Sequence, residues 1–358
     1  MTLDLLADDA TSGTATLPAA ELSELLGRAV PQVATGLWAL EEVQPLLTVP
    51  RGSQRFTACV VRWHDHTTGT ATTAQLVVKE DGKRVPRWAD KAARVLQAAG
   101  LGDAAHYRVA HPYGVTAPGA LVSERAPGLS LAALLHAAPD TTAAALLGQE
   151  LAGWVLALQG CGAVLPGSDR RGLADAAPQL VQVAAVAGPA AGRELAILVR
   201  DLAAIDRAHP AGPLLPCHGD LHPANVFRSD TGLVAIDLDT VAAREPAYDV
   251  GYAVAQLVVS SLLGGVPLEV ARAAAVSLWD AYVAAGAPAD DERVAVQATR
   301  AVIQSMHFEL VTYATGRPGL RAAWTDLAFS MLHGGRDGLR GLELPDWAPG
   351  AVPAAAAG

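Results

Sequence analysis

Lysine is nearly missing from this 358-residue chain: of its 26 Lys and Arg residues only Lys79, Lys83 and Lys91 are lysine. A lysine kept at the end of an apolar run therefore asks for a chemical reason, and Lys79 closes the run Gln75-Leu-Val-Val-Lys79. Cysteine is scarce as well. Cys59, Cys161 and Cys217 are widely spaced and odd in number, which excludes a disulfide framework or a metal knuckle and reads as buried thiols. Positive charge is short overall: the net charge of -10 argues against nucleic acid, which calls for a basic surface. No apolar run reaches the ~20 residues of a membrane span, and the stretch 257–263 is interrupted by two serines. The opening Met-Thr-Leu-Asp-Leu-Leu-Ala-Asp-Asp lacks the basic start of a secretion signal. A cytoplasmic protein with no membrane or nucleic-acid partner is the expectation.

What is present points to a large helical protein. Apolar residues make up 51% of the chain, much of it in Ala-rich runs, and the length predicts one large or two packed domains. Helical spacing runs over 22–30, 86–99, 131–138, 141–159, 173–187 and 193–207, and again over 247–263, 267–285, 290–315 and 320–333. Strand patterns cover 57–63 and 73–79 around a polar turn, then 107–116 and 119–126. Residues 1–18 read as a disordered leader and 346–358 as a flexible tail.

The chemistry concentrates in residues 216–240. They read Pro-Cys-His-Gly-Asp-Leu-His-Pro-Ala-Asn-Val-Phe and, after a turn, Leu-Val-Ala-Ile-Asp-Leu-Asp-Thr. Asp220 lies five residues before Asn225, and Asn225 twelve before Asp237. That spacing resembles a kinase catalytic loop followed by its metal-binding Asp. A carboxylate at Asp220 can orient an acceptor hydroxyl and take its proton late in the transfer. The amide of Asn225 and the carboxylate of Asp237 offer hard oxygens that suit Mg²⁺. Asp239, in an extended strand, would point the same way as Asp237 and share that ion.

His218-Gly-Asp220-Leu-His222-Pro-Ala-Asn225, with Ile236-Asp237-Leu-Asp239 and Glu245-Pro-Ala-Tyr248-Asp249, resembles the aminoglycoside phosphotransferase and choline kinase family. The resemblance implies an α+β, two-lobed, protein-kinase-like fold, with a small antiparallel sheet in the N-lobe (19–125) and a larger, mainly helical C-lobe (126–345). It implies Asp220 as base, Asn225 and Asp237 as metal ligands, and Mg²⁺ with ATP or GTP as co-substrate. It also assigns Lys79 to the phosphates, Gly52 and Ser53 to a loop over them, and Ser123, Glu124, Arg125 and Ala126 to the adenine edge, mainly through main chain. The family pairs its strand lysine with an acidic helix residue. Here the helix offers only Asp90, so either Asp90 takes that role or Lys79 is held otherwise.

The activity implied is a phosphotransferase acting on a hydroxyl of a small molecule, such as an aminoglycoside or another amino or sugar compound. A nucleotide-binding scaffold without transfer is the alternative, and transfer of a nucleotidyl group to protein a further one. Gly219-Asp220-Leu-His222 also suits a metallophosphatase. That chemistry needs later His and Asn ligands, whereas after Asp239 only His307 and His333 follow, both in helix-like stretches.

Overall fold

The computed structural model describes residues 16–51, 53–81, 87–116, 119–167, 173–187, 189–263, 265–314 and 320–343. Gly52, the tail 346–358 and most of the expected leader lie outside the described residues. Of that leader, Leu17 is buried and donates its N–H to Thr48 Oγ1 at 3.2 Å.

In chain order the elements are α1 (Ala19–Ala29), α2 (Pro31–Ala34), β1 (Trp38–Arg51), β2 (Gln54–Asp65), β3 (Thr70–Asp81), α3 (Arg87–Leu96), β4 (Tyr107–Val109), β5 (Pro112–Thr116), β6 (Ala120–Glu124) and β7 (Leu129–Ser130). There follow α4 (Leu131–His136), α5 (Thr141–Gly160), α6 (Leu173–Ala187), α7 (Pro189–Ala208), β8 (Leu215–Cys217), β9 (Val226–Ser229), β10 (Gly232–Ala235), β11 (Ala242–Arg244), α8 (Ala247–Leu262), α9 (Leu268–Ala284), α10 (Asp291–His307) and α11 (Leu320–Arg340). They form two compact units: Met1–Ala133 with Cys161–Leu165 and Ala224–Val241, and Leu134–Gly160 with Pro166–Pro223 and Ala242–Gly358.

The first unit is built on an antiparallel sheet of order β1-β2-β3-β6-β5. Strand alternation sends Cys59, Val61, Trp63, Leu76, Val78 and Val122 to one face, where Leu22, Leu25, Leu26 and Ala29 of α1 cover them. The register Lys79↔Phe56, Val77↔Ala58, Lys79↔Leu121 and Val77↔Ser123 leaves those six residues together on the other face.

Two expectations change here. No strand is expected from the sequence before residue 57, yet β1 begins at Trp38, because irregularities between Leu40 and Glu42 and between Pro45 and Leu47 break its two-residue period. Residues 107–116 do not form one strand. β4 leaves the large sheet and runs parallel to β10, in a second sheet of order β4-β10-β9-β7.

The second unit is mainly helical. α5 packs on α9, and α8 packs on both α9 and α10. By length and composition α5 is apolar enough to cross a membrane. It is a core helix here, burying Leu147, Leu151, Trp154, Val155 and Leu158. Burial of Trp154, Trp279 and Trp324, all at zero exposure, contributes on the order of 2 kcal/mol or more apiece. A two-stranded ladder of β8 and β11 pairs Cys217 with Ala242 and leads straight into the loop that begins at His218.

Candidate active site

Lys79 stands 8% exposed at the end of β3, and its ammonium meets two carboxylates: Asp237 Oδ1 at 2.7 Å and Asp239 Oδ2 at 2.5 Å. Burial alone would pull its pKa down, but the two aspartates outweigh burial and the pKa is raised. Asp239 is pushed up by burial against the pull of Lys79, as expected where one cation is shared between two acids. Asp90 takes no part in this. It is bound to Arg94 one turn along α3, so the lysine is held by the aspartates and not by the helix.

The convergence has a backbone cause that differs from the expected extended strand. Asp237 sits in the left-handed region at φ 61, and Leu238–Thr240 follow as a turn of 3-10 helix. The curl brings residues 237 and 239 to the same ammonium. Non-glycine residues rarely adopt this conformation, though Asp tolerates it better than most, and such strain gathers at functional sites. Trp88 of α3 steadies the far end of the curl, donating Nε1–H to the Val241 carbonyl at 2.9 Å.

Asn225 reaches the same neighbourhood through strand register. Pairing of Val226 with Ala235 sets Asn225 opposite Ile236, whose N–H donates to the Asn225 carbonyl at 2.9 Å. Asn225 is 4% exposed. Two carboxylates already converging on a cation, with Asn225 held by its backbone opposite Ile236, the residue before Asp237, offer oxygen donors of the kind that fit Mg²⁺.

The remaining first-unit residues predicted for the nucleotide lie on or beside the same sheet. Ser53 is exposed in the turn between β1 and β2, where Arg51 pairs with Gln54. Ser123 and Glu124 end β6. The Glu124 N–H donates to the His111 carbonyl and the Arg125 N–H to Gln75. The His111 N–H, which lies on the β5 side of the Glu124 backbone, goes to the Glu124 carboxylate at 3.1 Å. That carboxylate also receives Arg108 through two bonds of 2.6 and 2.8 Å. Burial would raise its pKa, but Arg108 and the His111 N–H prevail and lower it. Ala126, past the end of the strand, is buried.

Asp220 belongs to the second unit, with a loop geometry of its own. Gly219 adopts φ 85, a turn that a side chain would strain. Asp249, at zero exposure on the first turn of α8, accepts the N–H groups of His218 at 2.5 Å and Gly219 at 2.9 Å. Buried His218 accepts the Asp220 N–H on Nδ1 at 3.3 Å. Asp220 Oδ1 accepts the Tyr252 hydroxyl at 2.7 Å, and His222 Nε2 lies 3.9 Å from Asp220 Oδ2. Tyr252 is absent from the sequence-based site. Its signal was available, since Tyr252 stands three residues after Asp249 and so shares its helix face.

An antiparallel amino-terminal sheet carrying a buried lysine, followed by a mainly helical region, matches a kinase-like fold. Residues 54–284 match the model of the phosphotransferase enzyme family, APH, and the chain belongs to that family. It is a small-molecule phosphotransferase. No curated protein matches it significantly.

Solved structures agree on the fold. A choline/ethanolamine kinase family protein from Mesorhizobium loti is 19% identical with a TM-score of 0.53, over 90% of this chain and 97% of that one. A thermostable mutant of aminoglycoside phosphotransferase APH(4)-Ia, in ternary complex with ADP and hygromycin B, is 12% identical with a TM-score of 0.56, over 83% and 95%. The choline kinase of Cryptosporidium parvum Iowa II is 12% identical with a TM-score of 0.53, over 90% and 98%.

Proposed function

We propose that this protein transfers the γ-phosphoryl group of ATP or GTP, with Mg²⁺, to a hydroxyl of a small molecule, an aminoglycoside or another amino or sugar compound. The observation that carries the reading is the meeting of Asp237 and Asp239, both open to solvent, on the buried ammonium of Lys79, with Asn225 in the adjoining strand register. These are the residues that phosphate and metal binding require, in the chain order of a kinase.

In this reading the face formed by Phe56, Ala58, Val77 and Leu121 receives the base, while the Glu124 carbonyl and the Ala126 N–H meet its edge. Lys79 binds the α- and β-phosphates, with Ser53 and Gly52 covering them. Asn225, Asp237 and Asp239 hold the metal, which when bound neutralises phosphate charge. Asp220 accepts the proton of the acceptor hydroxyl as its oxygen bonds to the γ-phosphorus and the bond to the β-phosphate oxygen breaks, leaving ADP or GDP. The solved relatives support the substrate class: one holds ADP with hygromycin B, and an amicoumacin kinase holds AMP-PNP, Ca²⁺ and Ami.

The test is nucleoside diphosphate release across a library of hydroxyl compounds with ATP and with GTP, for wild type and Asp220→Asn. Turnover on an amino or sugar compound, reduced at least ~100-fold in the variant while nucleotide affinity stays within a few-fold, is expected. Undiminished turnover in the variant overturns Asp220 as base. Nucleotide binding without transfer to any acceptor overturns the enzyme and favours the scaffold.

A further inference from the structure

The first two turns of α8 hold the loop around Asp220 at two levels. Asp249 takes the backbone N–H groups of His218 and Gly219. One helical step on, Tyr252 takes the side chain of Asp220 itself, its hydroxyl donating to Oδ1 at 2.7 Å. Residues at this spacing face the same way, so one helix face templates both the path of the loop and the rotation of its carboxylate.

Tyr252 is itself firmly placed. It is 7% exposed. A Cβ added at the preceding Gly251 would lie 2.6 Å from the Gln297 side chain and 2.7 Å from the Ala298 nitrogen, so the absence of a side chain lets α8 approach α10 closely. Tyr248, one turn earlier, is held between the guanidinium groups of Arg244 at 4.6 Å and Arg300 at 4.4 Å. Burial and the nearby Asp220 both push the Tyr252 phenol up, so it remains a neutral donor through the physiological range.

We propose that Tyr252 is a positioning residue for phosphoryl transfer: its hydroxyl fixes the rotation of the Asp220 carboxylate by binding Oδ1, so that Oδ2 is presented to the acceptor hydroxyl in one orientation. The proposal rests on Asp220 being the base. The hydroxyl makes no covalent change and keeps its proton throughout. Its effect is on the fraction of bound complexes in which the base is aligned, which acts on kcat and not on the affinity of either substrate.

Tyr252→Phe removes the hydroxyl and keeps the ring that fills the core. The expected result is a kcat lowered about 10-fold with both KM values within about twofold of wild type. Melting by circular dichroism gives the folded fraction by which kcat is divided. A structural role alone would lower the melting temperature and leave kcat per folded molecule unchanged, and that outcome overturns the proposal. Asp220→Asn, assayed in parallel, separates the two ideas. Turnover lost there but intact in Tyr252→Phe removes the Tyr252 role and keeps the base, whereas full turnover in Asp220→Asn removes both.

Discussion

Lys79 keeps two carboxylates together that would otherwise repel each other. Replacing it with Met leaves Asp237 and Asp239 drawn to one place by the backbone curl and without the shared ammonium between them. Under the proposed reading the phosphates also lose their cation. The expected outcome is a fall in kcat/KM for the nucleotide of about 100-fold or more, the scale of removing one preorganised electrostatic contact, measured by initial rates at varied ATP. Lys83 and Lys91 cannot substitute. Lys91 is exposed on α3, Lys83 lies outside the described residues, and a flexible ammonium elsewhere does not reproduce a buried one.

At the level of elements, the end of β6 is pinned by Glu124, bonded twice to Arg108 of β4 and once to the His111 N–H. Because its folded pKa is lowered, its stabilisation is present above the unfolded value near 4.5 and is lost as pH falls through the folded value. Glu124→Gln should therefore cost about 2 kcal/mol at pH 7 in urea unfolding, and the gap to wild type should close as the pH is taken well below 4. Helices and the β2-β3 hairpin were legible in the sequence because their periods run unbroken. β1 was hidden by its two irregularities, and β4 by the fact that no local pattern tells a strand which sheet to join. The same division holds at the candidate site. Asp220, Asn225 and Asp237 were singled out because their spacing is short-range, and Asp239 was added through an extended geometry that the chain does not adopt. The pairing of Lys79 with Asp237 and Asp239 depends on folding, which brings residues more than 150 positions apart into contact, whereas Tyr252 lies only 32 positions from Asp220 and was open to a helix-spacing argument from Asp249.

For the whole molecule, a ligand that binds only the folded chain adds stability as its concentration rises above the dissociation constant. ATP with Mg²⁺ at about 100 times that constant should add about 2.7 kcal/mol, read as a concentration-dependent rise in melting temperature that excess EDTA largely removes. No rise at any concentration of ATP or GTP would count against the nucleotide site. The acidic balance of -10 makes the comparison worth repeating at two salt concentrations, since salt screens the long-range repulsion between a nucleotide and such a surface. The left-handed turn at Asp237 bears on the same measurement. A glycine there would relax the backbone but would take from the buried Lys79 ammonium one of its two carboxylates, so at this one position backbone ease and charge pairing pull in opposite directions, and under the proposed reading the chemistry sides with the charge.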